Sequence, residues 1–160
     1  GSGLVGSEMC IRDRIGATVI RPLVCRLRPA NLENPVSEFV HIVNGYRGGG
    51  YGFPSCHAAN TFGLAFFLFY LFRNRALNWF IMIWALLTCY SRSYLGVHYP
   101  GDLLAGALVG FAGASLCYWL FSRLCKYERK EDYKHIYVPI WVGGATVLGI
   151  LAYALIRTLL

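Results

Sequence analysis

Apolar residues in this 160-residue chain fall in runs too long for the single stripe of a soluble helix. Pro54–Phe72 is free of Asp, Glu, Lys and Arg over 19 residues, Leu103–Phe121 over another 19, and Ile136–Ile156 over 21. A helix rises about 1.5 Å per residue, so about 20 residues cross the roughly 30 Å of a bilayer's hydrocarbon. Ala76–Tyr90 is shorter, at 15 residues, and has room to lengthen into the polar sequence after it. The pattern predicts an all-α, polytopic membrane helical bundle with about four visible spans, at 54–72, 76–90, 103–121 and 136–156. Buried core helices of a soluble protein are the alternative.

Residues 21–53 are polar and contain Pro and Gly, which predicts short helical turns at most before the run Gly48-Gly49-Gly50. Residues 1–20 stand apart. GSG reads as linker sequence, and Ser7–Arg14 (SEMCIRDR) as translated adapter sequence. The expected organisation is therefore an uncertain or non-native segment at 1–20 and one membrane domain at 21–160, N-terminally incomplete, with further spans upstream. No apolar stretch followed by a small-residue cleavage site opens the chain.

Composition agrees, at 56% hydrophobic and 14% charged residues, which excludes an ordinary soluble domain. A formal charge of +7 raises nucleic-acid binding as a function. No zinc-finger spacing or basic recognition helix supports it, and no nucleic-acid partner is expected. Membrane topology explains the charge better. The loops at 73–75 and 122–135 are each net positive by two, and alternating crossings put them on one side. The positive-inside rule makes that side cytoplasmic. The opposite side receives the segment before Pro54, the polar loop Ser91–Asp102, and Arg157. Six cysteines contain no CxxC pair; Cys89 and Cys117 lie in apolar runs as small buried hydrophobes, and neither zinc nor a redox motif is expected.

Three polar elements share the non-cytoplasmic side. They are Arg21-(six residues)-Arg28-Pro29, Pro54-Ser55-Cys56-His57, and Ser91-Arg92-(five residues)-His98-(three residues)-Asp102. Together they offer arginines, histidines, a hydroxyl and a carboxylate. No acidic cluster is available for Mg²⁺ and no zinc triad is evident, so no cofactor is expected. Such a set suits an oxyanion that needs charge neutralisation and proton transfer. Taken singly, each residue has an ordinary role too: Arg21 and Arg28 as interfacial anchors, Ser55 and Asp102 as helix caps, His98 as a partner of Asp102. Their joint occurrence is what points to chemistry.

These elements resemble the tripartite signature K-x6-RP, PSGH and SR-x5-H-x3-D of the type 2 phosphatidic acid phosphatase superfamily, over roughly residues 21–121. Two positions depart from it: Arg21 stands for the lysine, and Cys56 for the glycine. The resemblance implies that His98 is the nucleophile and forms a phosphohistidine. Asp102 would orient its ring, and His57 would protonate the departing oxygen. Arg21, Arg28 and Arg92 would hold the phosphoryl oxygens, helped by Ser55 and by amides near Cys56. Arg26, at a spacer position of the signature, is expected to matter less. His41 and His135 receive no catalytic role.

The implied partners are the lipid bilayer and a membrane lipid phosphate or diphosphate. The implied site faces the periplasm or cell exterior of a bacterial inner membrane. The texture FPSCHAANTFG and YLGVHYPGDLLAG is similar to bacterial members, which makes undecaprenyl diphosphate the first expected substrate. Phosphatidic acid or phosphatidylglycerophosphate comes next. A lipid phosphotransferase, a vanadium haloperoxidase, or a transport or structural membrane protein are the competing classes.

Overall fold

A computed structural model describes residues 19–43, 45–72, 74–125 and 135–159. Residues 1–18, Arg73, and 126–134 of the second positive loop lie outside this set, and with them most of the segment expected to be non-native. Regular structure among the described residues is helical, apart from one antiparallel bridge between Leu27 and Tyr51. A single turn, α1 (Arg21–Val24), and a 3-10 turn at Pro35–Phe39 interrupt an otherwise irregular segment. Four long helices follow: α2 (Cys56–Leu71), α3 (Arg75–Tyr94), α4 (Pro100–Cys125) and α5 (Val138–Leu159). By length and composition α4 and α5 can each cross a membrane, and α2 is a shorter apolar helix.

The helix ends explain how polar residues reach the site. Ser55 is the N-cap of α2, its backbone extended and its hydroxyl accepting from the Ala58 amide at 3.4 Å. Asn74 caps α3 in the same way, accepting from Leu77 at 2.9 Å. The polar loop expected from Ser91 to Asp102 is shorter than that. Helix α3 runs on to Tyr94, so Ser91 and Arg92 lie in its last turn. The Ser91 hydroxyl donates back to the Thr88 carbonyl at 2.7 Å, which removes it as a competitor for the backbone. The chain then turns at Gly96, with φ +65°, a left-handed conformation that glycine adopts without strain.

Helix α4 also starts earlier than the apolar run, at Pro100. Proline's fixed φ suits the first helical position, where no amide partner is needed. Two residues on, Asp102 reaches back with Oδ2 to the Tyr99 amide at 2.9 Å, as the third residue of a capping box does.

The core is the seam between α2 and α4. On α4 the buried residues are Asp102, Gly106, Gly110 and Ala114, a spacing of four that lines one helix face. Facing them on α2 are Ala58, Ala59, Gly63 and Ala65, all buried. A Cβ at Gly106 would meet the Ser55 carbonyl, and one at Gly110 the Ala59 carbonyl. The absence of side chains there lets the backbones approach closely, as in small-residue packing between membrane helices. Towards the far end rings take over: Phe66 meets Phe111 edge-on at 5.0 Å, and Tyr70 stacks on Tyr118 at 5.1 Å.

Helix α5 meets the bundle along α3, where the Phe80 ring lies over Gly143. Beside this contact is an apolar groove of about 340 Å³ lined by Phe80, Ile83, Trp84, Leu87, Val147 and Leu148. Much of the rest of α5 is apolar and exposed, including Trp141 at 76%. A helix apolar on its exposed side is stable in lipid rather than water.

Candidate active site

The end of the bundle that begins α2 and α4 and finishes α3 is covered by the segment Arg26–Gly52. This segment is fastened by its backbone. Arg28 donates to the Gly50 carbonyl at 3.1 Å, Gly52 to Arg26 at 2.9 Å, and Ala30 to Gly96 at 3.0 Å. Asn34, buried, donates through Nδ2 to the Arg28 carbonyl and to the Tyr99 hydroxyl, both at 3.0 Å. Gly52 lies so close to the carboxylate that a Cβ there would sit 3.1 Å from Oδ2 of Asp102.

At the centre is His98, with its side chain 1% exposed, one turn before the fully buried Asp102. Nδ1 of His98 stands 3.7 Å from Oδ2 of Asp102, an ion-pair separation longer than a hydrogen bond. The ring's other nitrogen, Nε2, lies 3.2 Å from Nη1 of Arg28. A guanidinium can only donate, so Nε2 must be the acceptor, with its lone pair directed at Arg28. The neutral ring then carries its proton on Nδ1, on the Asp102 side. This arrangement fixes the tautomer by geometry and leaves Nε2 as the ring atom that carries the lone pair.

Arg28 also donates to the Val97 carbonyl at 3.2 Å. Its pKa is held below the usual arginine value, first by burial and then by the like charge of Arg21, against weaker opposing contributions from Tyr46, Asp102 and Cys56. Two cations drawn together in a partly desolvated place stabilise an anion there. The Nε atoms of Arg21, Arg28 and Arg92 are each buried without a hydrogen-bond partner.

The sequence-predicted residues take the following places. Arg21, Arg28, Cys56, His98 and Asp102 are brought together, with Nη2 of Arg21 3.1 Å from Cys56 Sγ. Ser55 is fully buried; its hydroxyl caps α2 and its amide donates to the Asp102 carbonyl at 3.0 Å, tying the starts of α2 and α4 together. His57 stands exposed on the first turn of α2. Arg92 is half-buried in the last turn of α3, its carbonyl accepting from Val97 at 3.2 Å.

Sequence reasoning set aside Arg26, which lies 3.2 Å from Oδ1 of Asp102. It also passed over Asn34 and Gly52. Nothing in the spacing of Arg26 announces it. Gly52 and Asn34 lie in irregular backbone, where no periodicity shows which residues turn inward.

The family model for the PAP2 superfamily matches residues 5–126, across all three elements. The chain belongs to the PAP2 superfamily. Among its PAP2 relatives is a lipid A 4'-phosphatase of Bacteroides thetaiotaomicron, 47% identical over 154 residues, covering 91% of this chain and 68% of the relative. Another, the lipid A 4'-phosphatase of Porphyromonas gingivalis, is 36% identical over 123 residues, covering 76% of this chain and 52% of the relative. The chain thus spans about half to two thirds of these relatives' lengths. The undecaprenyl-diphosphatase BcrC of Bacillus subtilis is 42% identical over 74 residues, covering 46% of this chain and 37% of the relative. No solved structure matches. Family membership, the phosphatase relatives and the apolar helices together make this PAP2 chain a membrane protein and a lipid phosphatase, a phosphate-ester hydrolase.

Proposed function

We propose that the chain hydrolyses a lipid phosphate through a phosphohistidine on Nε2 of His98, and that the lipid is of the lipid A 4'-phosphate class. The observation that carries the mechanism is the placing of His98, with Nε2 at 3.2 Å from Arg28 and Nδ1 turned to Asp102. Substrate phosphate enters between the arginines and its oxygens take over the guanidinium donors. The freed Nε2 lone pair attacks phosphorus; the N–P bond forms as the P–O bond to the lipid breaks. Asp102 steadies the positive charge that the ring acquires. His57 gives its proton to the departing lipid oxygen, then takes one from the water that cleaves the phosphohistidine. Arg21, Arg28 and Arg92, with amides beyond the Ser55 cap, stabilise charge on the transferring group, and the start of α2 favours an anion in the same place.

The substrate class is supported by the B. thetaiotaomicron relative, similar over 91% of the chain. Undecaprenyl diphosphate is the second reading, favoured by similarity to BcrC over 46% of the chain. The charge pattern supports a multi-pass protein of a bacterial inner membrane whose site faces the periplasm or cell exterior. Phosphate release from lipid A, undecaprenyl diphosphate, phosphatidylglycerophosphate and phosphatidic acid, in EDTA, tests the whole reading. Lipid A is expected to be cleaved fastest by the parent and not at all by His98→Ala. Faster release from undecaprenyl diphosphate would transfer the substrate assignment, and turnover by folded His98→Ala would end the mechanism.

A further inference from the structure

Arg26 is one of the six spacer residues between Arg21 and Arg28 and has no assigned part in phosphate chemistry, yet it reaches the carboxylate. Its Nη1 stands 3.2 Å from Oδ1 of Asp102. The other carboxylate oxygen, Oδ2, accepts the Tyr99 amide at 2.9 Å and faces Nδ1 of His98 at 3.7 Å. Arg26 thus meets the end of the carboxylate that faces away from the histidine. Its guanidinium lies over the Tyr99 ring, 4.5 Å from the centroid, within cation–π range. That ring is fixed in turn, because the Tyr99 hydroxyl accepts from Asn34 at 3.0 Å. The backbone of Arg26 is fastened as well, its carbonyl accepting from Gly52 at 2.9 Å. Main chain, planar head and charge are all held at one place beside Asp102.

We propose that Arg26 is a positioning residue, which keeps the Asp102 carboxylate turned so that Oδ2 faces His98, without itself touching phosphate. The proposal rests on the phosphohistidine reading of the site. Oδ1 of Asp102 is buried and has no hydrogen-bond partner, and the Arg26 guanidinium sets a positive charge 3.2 Å from it. Without Arg26 the Tyr99 amide is left as the hydrogen bond that holds the carboxylate, and the fit of Oδ2 against the imidazole loosens. A lysine would keep the charge but not the flat fork that lies on Tyr99.

The test uses the full chain in detergent, with steady-state kinetics on the preferred lipid and inhibition by inorganic phosphate. Arg26→Ala and Arg26→Gln are expected to lower kcat by about 10- to 100-fold, the scale seen when a supporting partner of a functional ligand is lost. KM and the phosphate inhibition constant should stay within about twofold, the signature of a group that matters in the transition state and not in binding. Arg26→Lys should recover part of kcat. Arg28→Ala, in parallel, should raise both KM and the phosphate inhibition constant. Parental kcat in folded Arg26→Ala overturns the proposal, and so does a rise in both binding constants like that of Arg28→Ala, which would make Arg26 a phosphate ligand. If Ala and Gln variants both fail to fold while Arg26→Lys turns over at the parental rate, Arg26 serves folding alone and the proposal is again overturned. His98→Ala separates the two claims. Turnover there removes the phosphohistidine reading, whereas inactive His98→Ala beside normal Arg26→Ala removes the role of Arg26 alone.

Discussion

Arg28 joins three things at once: the imidazole of His98, the loop that precedes it, and the segment that covers it. It contacts Nε2 of His98 and the Val97 carbonyl through one nitrogen, and its own carbonyl holds Asn34. Arg28→Ala is therefore expected to lower kcat/KM by about 10²–10³-fold, the cost of removing one well-placed donor to a charged transition state; initial rates of phosphate release measure it. Asp102→Asn keeps the size and the bond from Tyr99 but loses the charge facing Nδ1. By analogy with triads whose carboxylate is neutralised, turnover should fall by up to about 10⁴-fold with folding retained, which circular dichroism beside the assay would check. Cys56→Gly restores the residue of the signature and removes the thiol that faces Arg21 at 3.1 Å. Phosphate release close to parental is expected, since the backbone amide remains; a large loss would give the thiol a positive role.

At the scale of elements, the seam of α4 carries a second kind of prediction. Gly106→Ala and Gly110→Ala push a methyl group into the carbonyls of Ser55 and Ala59, and each should destabilise the fold by about 1–3 kcal/mol, as overpacking does. Thermal unfolding in detergent reads this, with Leu108→Ala on the exposed side of α4 as the neutral comparison. Apolar run length foretold the helical class and the neighbourhood of each long helix, because a long uncharged run satisfies its backbone as helix. The ends were not foretold. Ser91 and Arg92 are polar yet helical, and Pro100 begins α4 two residues before Asp102, because side-chain bonds to local backbone override polarity there. His98, Asp102 and Arg28 could be picked out by spacing. Arg26 could not, since what brings it to Asp102 is a bridge between Leu27 and Tyr51 that no pattern in the segment signals.

For the whole molecule, sidedness is the property most open to measurement. Cys25, near the site, and Cys125, at the far end of α4, are both exposed. A membrane-impermeant thiol reagent applied to spheroplasts should label Cys25 directly and Cys125 only after permeabilisation, with single-cysteine variants assigning the label. The reverse pattern would invert the proposed orientation.

One face of α4 holds Asp102, Gly106, Gly110 and Ala114 in register. The carboxylate that faces His98 and the residues that allow close packing therefore share a single rigid stripe, and Gly110 lies about 12 Å along the axis from Asp102 at 1.5 Å per residue. A random-mutagenesis selection for loss of activity should for that reason recover bulky substitutions at Gly106 and Gly110 alongside the charged residues. Whoever reads such a list by distance from His98 will mistake them for a second functional region, when their effect is to turn or lift the helix on which Asp102 rides.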